Sequence, residues 1–108
     1  MKIFVIHSMG LSAKALDYAK TMEVAGHETF VPARDTEQTY TTEQEILKAN
    51  LDGIKWSDEC HVIWDLSSLG SVFDMGSAYA LGKPIKIISV KKHHLTKFIS
   101  EHEDKYIL

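Results

Sequence analysis

The chain has 108 residues, of which 44% are hydrophobic and 25% charged, and its net charge at pH 7 is −3. This composition predicts one globular domain and excludes disordered and low-complexity classes. The weak negative charge argues against a nucleic-acid-binding protein, which needs many Lys or Arg contacts to phosphates. One cysteine excludes an internal disulfide, and the apolar runs fall far short of the ~20 residues that span a membrane. No apolar leader precedes the first strand, so we expect a cytoplasmic protein.

The beginning of the chain alternates strand and helix patterns. A short β-branched run at 3–6 is typical of a strand buried in a parallel sheet. Small and apolar side chains then recur every three or four residues over 12–25, which predicts a helix closed by Gly26. Residues 27–31, which precede a proline, predict the second strand.

The middle of the chain continues this alternation. A polar stretch without a period at 34–41 predicts a loop. Thr42 and Glu45 fit a capping box, in which the Thr42 hydroxyl accepts from the Glu45 amide and the Glu45 carboxylate reaches back. The apolar periodicity that follows predicts a second helix ending near Trp56, and residues 60–64 predict the third strand.

The last part of the chain adds one more helix and strand to the pattern. A loop rich in small hydroxyl side chains at 65–71 precedes the third predicted helix. Ser71 is the expected N-cap of this helix, and Gly82 follows its end. Residues 85–90 predict a fourth buried strand, and a short helix is expected over 96–102.

This order of elements predicts an α/β fold, because strands that alternate with helices form parallel sheets with right-handed crossovers. We expect a doubly wound parallel sheet of four to five strands, in the order 2-1-3-4, within a three-layer sandwich. Ligands of such sheets bind beyond the carboxyl ends of the strands, where the strand order reverses. Here those ends are residues 7–10 and 65–71, which are rich in small polar side chains suited to phosphates or sugars.

Asp74 is the sharpest candidate for chemistry, because it follows the hydroxyl-rich loop at the expected crevice. A carboxylate there suits attack on an electrophile or its stabilisation. A structural interpretation stays open, since Ser71 and Asp74 also resemble a capping box and acids are favoured in a first helical turn. Asp65 has two interpretations as well: it binds a sugar hydroxyl or base edge, or it caps the loop beneath it.

Further polar residues complete the candidate site. Ser68, Gly70 and Ser71 form a candidate anion-binding loop, although neither a P-loop nor a dinucleotide fingerprint is present. His7 ends the first strand and suits an acid, a base or a ligand, or is simply hydrogen-bonded. The two lysines and two histidines at 91–94 indicate a solvated edge. Because no Cys or third His lies at metal-ligand spacing, we expect no metal and no cofactor.

Four segments, at 50–58, 62–65, 68–76 and 78–84, follow one another in a specific order and spacing. In that order they resemble the nucleoside 2-deoxyribosyltransferase superfamily, and the similarity covers about residues 1–90. The Ser-Leu-Gly-x-x-acid-x-Gly stretch within 68–76 is closest to the branch of 2′-deoxynucleoside 5′-monophosphate N-glycosidases.

The resemblance implies a doubly wound fold and a reaction at the base–sugar bond. The carboxylate at Asp74 would attack the sugar C1′ and expel the base, and water or a second base would resolve the covalent intermediate. This is the logic of the retaining glycosidases. The resemblance also implies that Ser8 and Ser68 contact a 5′-phosphate.

The chain departs from the family at four positions of this site, and the Arg that commonly follows in the first loop is missing, where this chain has Met9 and Gly10. Asp74 stands where the family has Glu, and Asn50 stands where it has an acid. Phe4 replaces a tyrosine whose hydroxyl orients the carboxylate, and His7 replaces a glycine. Such changes within one site indicate altered chemistry or lost chemistry.

Two hypotheses therefore stay open. The first is an N-glycosidase or deoxyribosyltransferase with Asp74 as nucleophile, and the second is a catalytically silent nucleotide-binding module with the same pocket. In both, the partner is a small-molecule nucleoside or nucleotide, and we expect a homodimer because a small domain has little surface to wall a pocket. The residues assigned to substrate binding are His7, Ser8, Asn50, Asp65, Ser68, Gly70 and Ser71.

Overall fold

The structure is a computed structural model and describes residues 1–90. Its elements follow the predicted alternation of strands and helices. The strands are β1 (Lys2–His7), β2 (Glu28–Phe30), β3 (Glu59–Trp64) and β4 (Ile85–Val90). The helices are α1 (Ser12–Val24), α2 (Pro32–Asp35), α3 (Glu43–Trp56) and α4 (Leu69–Ala80), and a 3₁₀ turn at Met9–Leu11 precedes α1.

The four strands form one parallel sheet in the order β2-β1-β3-β4, which confirms the predicted order. The two central strands pair from Ile3 opposite Glu59 to His7 opposite Ile63. Parallel pairing brings the carboxyl ends of β1 and β3 to the same edge of the sheet. The loops after these strands therefore lie side by side, as the doubly wound fold requires.

Both faces of the sheet are buried, as expected for a three-layer α/β sandwich. On one face, Ile3 and Val5 pack with Ala15 and Ala19 of α1. On the other face, Phe4 packs with Ile54 of α3 and with residues of α4 and β4. Alternate residues of β1 therefore enter opposite cores, which explains why this strand is apolar almost throughout.

Helix α1 ends as its sequence predicts. Gly26 has a φ of 100°, a backbone conformation that favours glycine, and it follows the last turn directly. The Gly26 amide donates to the Glu23 carbonyl, and the His27 amide donates to the Met22 carbonyl, both at 3.0 Å. These bonds satisfy carbonyls that the helix end would otherwise leave open.

The start of α4 corrects the sequence prediction. The N-cap is Ser68 rather than Ser71, because the Ser68 hydroxyl accepts a hydrogen bond from the Ser71 amide at 3.2 Å. The helix therefore begins at Leu69, and Asp74 lies in its second turn. The capping-box interpretation of Asp74 is wrong, since a cap side chain must reach the free amides of the first turn.

Two details of the middle segment also differ from the prediction. The expected polar loop begins inside a single helical turn, α2, which Pro32 opens and which Asp35 stabilises by accepting from the Val31 amide at 2.8 Å. Thr42 caps α3 as predicted, but the Glu45 carboxylate accepts from the Thr41 hydroxyl at 2.7 Å instead of reaching back.

Two predictions from the sequence concern residues beyond position 90. The helix expected over 96–102 and the edge expected at 91–94 lie outside the described residues. Among the helices within residues 1–90, none has both the length and the apolar character needed to cross a bilayer.

Candidate active site

A cavity of about 380 Å³ opens beyond the carboxyl end of β1, between α3 and α4. This is the crevice at which doubly wound folds bind ligands. Six of the eight residues chosen from the sequence lie on its wall. They are His7, Asn50, Ser68, Gly70, Ser71 and Asp74.

Asp74 presents a carboxylate to this cavity from the second turn of α4. Its side chain is buried, with 6% relative exposure of the residue, and it accepts no hydrogen bond from residues 1–90. Burial disfavours the charged form and raises the pKa of Asp74 to about 7. A carboxylate that is desolvated and unpaired is held ready for a ligand, since a structural acid is ordinarily hydrogen-bonded.

The start of α4 offers hydrogen-bond donors on the same wall. The Ser68 hydroxyl accepts from the amide of Ser71 at 3.2 Å and from its hydroxyl at 3.1 Å. Both of these bonds use Ser68 as acceptor, so its own hydroxyl proton remains available to a ligand. Gly70 lies beside it in the first turn, where backbone amides point out of the helix. Such a helix start attracts phosphate and other anions.

Asp65 is hydrogen-bonded to this loop and does not lie on the cavity wall. Its carboxylate accepts from the Ser67 amide at 2.9 Å and from the Ser68 amide at 3.1 Å. These hydrogen bonds lower the pKa of Asp65 to about 2. The adjacent Leu66 adopts a left-handed backbone with φ of 70°, which costs about 1–2 kcal/mol in a non-glycine residue. The Asp65 turn and the packing of Leu66 against the core compensate that strain.

Ser8 also lies behind the wall rather than on it. Ser8 is 1% exposed. Its amide donates to the Ile63 carbonyl at 3.2 Å, and its hydroxyl accepts from the Asp65 amide at 3.1 Å. These bonds join the ends of β1 and β3. Ser8 and Asp65 therefore position the loop that carries Ser68.

His7 lines the cavity with both ring nitrogens engaged. Nδ1 lies 3.0 Å from the Ser8 carbonyl, which can only accept, so Nδ1 carries the proton. Nε2 accepts from the Ala33 amide at 3.3 Å. Burial lowers the pKa of His7, which favours this neutral form. The ring thus attaches α2 to the end of β1, and of its sequence interpretations the hydrogen-bonded one fits best.

Asn50 lies deep on the opposite side of the cavity. Its Oδ1 accepts from the Thr36 hydroxyl at 2.8 Å, and its amide group forms no further hydrogen bond within the described part of the chain. Since Oδ1 is occupied, the free atoms of Asn50 are the two N–H donors.

Three of the four departures from the family contact one short segment, residues 30–36. The Phe4 ring stacks on Phe30 with centroids 5.2 Å apart, and it is buried in the core rather than on the cavity wall. His7 binds the Ala33 amide and Asn50 binds the Thr36 hydroxyl. The three substituted residues therefore share a role, because together they hold the segment that contributes Pro32 to the cavity wall.

Sequence reasoning missed half of the cavity wall. Three of these residues lie on the same face of α3 as Asn50, so the helical periodicity of the sequence could have indicated them. The others lie in loops and in α2, where no periodic signal exists. The six residues are Met9, Pro32, Gln38, Glu43, Ile46 and Leu47.

Two solved structures that resemble this chain are those of enzymes. No protein-family model and no curated protein matches the sequence. The structure matches that of a 2-deoxyribosyltransferase from Bacillus psychrosaccharolyticus with a TM-score of 0.66 and 22% identity, over 95% of this chain and 82% of that one. It matches the CMP N-glycosidase BcmB from Clostridium botulinum with a TM-score of 0.72 and 18% identity, over 100% of this chain and 88% of that one. The chain therefore has the same fold as these two enzymes.

This result agrees with the resemblance found in the sequence. At identities of 18% and 22% the likeness concerns the fold, and both enzymes share it over nearly the whole chain. Residues 1–90 bring together no group of three or more His, Cys, Asp or Glu side chains able to hold a metal ion.

Proposed function

We propose that the chain cleaves the base–sugar bond of a nucleoside or nucleotide, as an N-glycosidase or a deoxyribosyltransferase. The observation that carries this proposal is Asp74, a buried carboxylate on the wall of a ligand-sized cavity. The shared fold of a deoxyribosyltransferase and a CMP N-glycosidase supports the same class of reaction.

In this reaction the Asp74 carboxylate is the nucleophile. Its oxygen forms a bond to C1′ as the bond from C1′ to the base nitrogen breaks, and the base leaves with the bonding electron pair. Water or a second base then attacks C1′ and releases Asp74. Two displacements through an oxocarbenium-like transition state replace one difficult step.

The start of α4 holds the other end of the substrate. The free Ser68 hydroxyl proton and the first-turn amide of Gly70 are donors for the sugar or a 5′-phosphate. The Asn50 amide donates to the sugar or the base from across the cavity. Ser8 and Asp65 act through the loop, because their hydrogen bonds fix the position of Ser68.

A base-release assay tests the proposal directly. Purified protein is incubated with ribonucleosides, 2′-deoxyribonucleosides and their 5′-monophosphates, with and without an acceptor base, and free base is measured by chromatography. We expect release from at least one substrate and a loss of about 1,000-fold or more in Asp74→Asn, with substrate binding retained. Asp52→Asn is the matched control, because Asp52 is an exposed carboxylate on α3. Equal rates in Asp74→Asn and the wild type would contradict the role of Asp74.

One observation favours the second candidate, a nucleotide-binding module without catalysis. A pKa of about 7 leaves Asp74 partly protonated at neutral pH, and no side chain within residues 1–90 donates a hydrogen bond that would orient its carboxylate. Such a protein binds nucleotides and releases no base. Calorimetric binding without base release from the full panel would establish this candidate and exclude the enzyme.

A further inference from the structure

One face of α3 runs along the cavity from its mouth to its floor. Glu43, Ile46, Leu47 and Asn50 follow the i, i+3, i+4, i+7 pattern, so their side chains lie on the same side of the helix. Glu43 is exposed and Asn50 is buried. The face therefore presents a carboxylate at the outside, two aliphatic side chains in the middle and an amide at depth.

The middle of this face continues into an apolar slot. Met9 and Pro32 line the same cavity as Ile46 and Leu47, and none of the four side chains can form a strong hydrogen bond. Ligand sites typically combine apolar walls with a few polar groups that fix orientation. A flat ring suits such walls, while a sugar or phosphate suits the hydroxyls and amides at the start of α4.

Two side chains with free acceptors lie at the polar rim of the slot. The Gln38 amide nitrogen donates one of its two protons to the Pro32 carbonyl at 3.2 Å, which leaves its oxygen and its second N–H free. The Glu43 carboxylate is an acceptor as well, and it forms no hydrogen bond or ion pair with the described residues. Both side chains line the cavity.

We propose that this slot is the base subsite and that the acceptors at its rim, above all the Glu43 carboxylate, select nucleobases with an exocyclic amino group, such as cytosine or adenine. The two N–H donors of an amino group satisfy acceptors at the rim, whereas a carbonyl in the same place faces them with a lone pair. The inference rests on the proposed function in one respect, that the ligand is a nucleoside or nucleotide.

Binding to matched pairs of nucleosides tests this selection. The pairs are 2′-deoxycytidine with 2′-deoxyuridine and 2′-deoxyadenosine with 2′-deoxyinosine, each as nucleoside and as 5′-monophosphate, titrated calorimetrically into the full chain. Within each pair the two bases differ in an amino group against a carbonyl. We expect the amino member to bind severalfold more tightly in at least one pair.

Glu43→Gln separates rim recognition from general binding. The variant replaces an acceptor-only group by one that can also donate, so the preference for the amino member should fall at least severalfold or reverse. Glu45→Gln is the matched control: it removes the same charge from the same first turn, but the Glu45 carboxylate is bonded to Thr41 and does not line the cavity. This control should keep the wild-type preference.

The outcomes distinguish the subsite from the reaction. Equal affinity within both pairs, no binding of any of the ligands, or a preference unchanged in Glu43→Gln would each overturn the base subsite. Base release without amino selectivity would overturn it while the proposed function stands. Amino-selective binding without base release would support the subsite and exclude the enzyme.

Discussion

The position of Asp74 depends on a hydrogen bond six residues before it. When the Ser68 hydroxyl accepts from the Ser71 amide, α4 begins at Leu69 and Asp74 moves out of the first turn. In the second turn its carboxylate has no free helix amide to cap. The same carboxylate is buried against the cavity, so a residue that sequence patterns explain as a cap becomes the best candidate for a nucleophile.

Asp74→Glu tests whether the site still accepts the chemistry of the family it resembles. The longer side chain restores the usual nucleophile, and misplacing a reacting group by about 1 Å can cost ~100-fold in rate. If the protein is an enzyme, we expect base release by Asp74→Glu to be higher than that of the wild type or within tenfold of it. If the protein is a binding module, we expect no base release by the wild type or by Asp74→Glu. The measurement is base release under saturating substrate, with Asp52→Glu as the matched control. A complete loss of a wild-type activity in Asp74→Glu would show that the cavity is built around the shorter acid.

The pH dependence of base release should report the ionisation of Asp74. Only the charged carboxylate is nucleophilic, and burial raises its pKa to about 7. We therefore expect kcat/KM to increase tenfold per pH unit below that value and to level off above it. A profile that is flat between pH 5 and 8 would assign the nucleophile to a different group.

The buried Asp74 carboxylate should also lower the free energy of unfolding at pH values above about 7. Its pKa is raised from 3.8 to about 7 on folding, so the penalty is absent below pH 3.8, grows between these values and is complete above pH 7. We expect Asp74→Asn to unfold at higher urea concentration at pH 8, with a gain of about 1–4 kcal/mol, and to match the wild type near pH 4. Asp52→Asn controls for the loss of one negative charge, because it removes an exposed carboxylate on α3. If Asp74→Asn were less stable than the wild type at pH 8, the Asp74 carboxylate would instead form interactions that stabilise the fold.

At the scale of elements, α3 crosses β1 and β2 at a single close approach. A Cβ built on Gly53 would lie 2.8 Å from Cε2 of Phe4 and 3.2 Å from Cδ1 of Phe30. The stacked rings and the bare helix backbone are therefore complementary surfaces. They also fix the height of α3 above the sheet, and with it the position of the helix face that lines the cavity.

Two glycine substitutions should act in opposite directions. Gly53→Ala forces the Phe4 ring to move and should destabilise the fold by about 1–3 kcal/mol. Gly76→Ala, in the middle of α4, meets no atom within 4 Å and should stabilise it by about 0.5–1 kcal/mol through helix propensity. Urea denaturation measures both. Equal effects of the two changes would show that α3 is not held close to the rings.

At the scale of the whole molecule, α4 has an outer face without charge. Leu69, Val72 and Phe73 are 83%, 48% and 51% exposed, and the one charged residue of the helix, Asp74, is turned inward. Two copies of such a face can meet without like-charge repulsion, as a two-fold interface requires. We propose this face as the contact of the expected homodimer.

Phe73→Asp tests the dimer contact. It places two like charges at the interface, so we expect the wild type to sediment as a dimer at micromolar concentration and the variant as a monomer. Val24→Asp is the control, because Val24 is 84% exposed on α1, away from this face, and should leave the dimer intact. A monomeric wild type, or a dimer that survives Phe73→Asp, would remove this contact.

The sequence by itself determined the fold class, the strand order and the crevice. Those features follow from local periodicity and from chain order, since alternating strands and helices leave few ways to build a parallel sheet. Only the tertiary structure decided which residues share the cavity. Pro32 and Gln38 reach it because His7 and Asn50 hold the segment at 30–36 in place, through contacts between residues distant in the chain, and Gln38 is bonded to Pro32. Such contacts have no sequence period, whereas burial patterns do, so the scaffold could be predicted and much of the cavity wall could not.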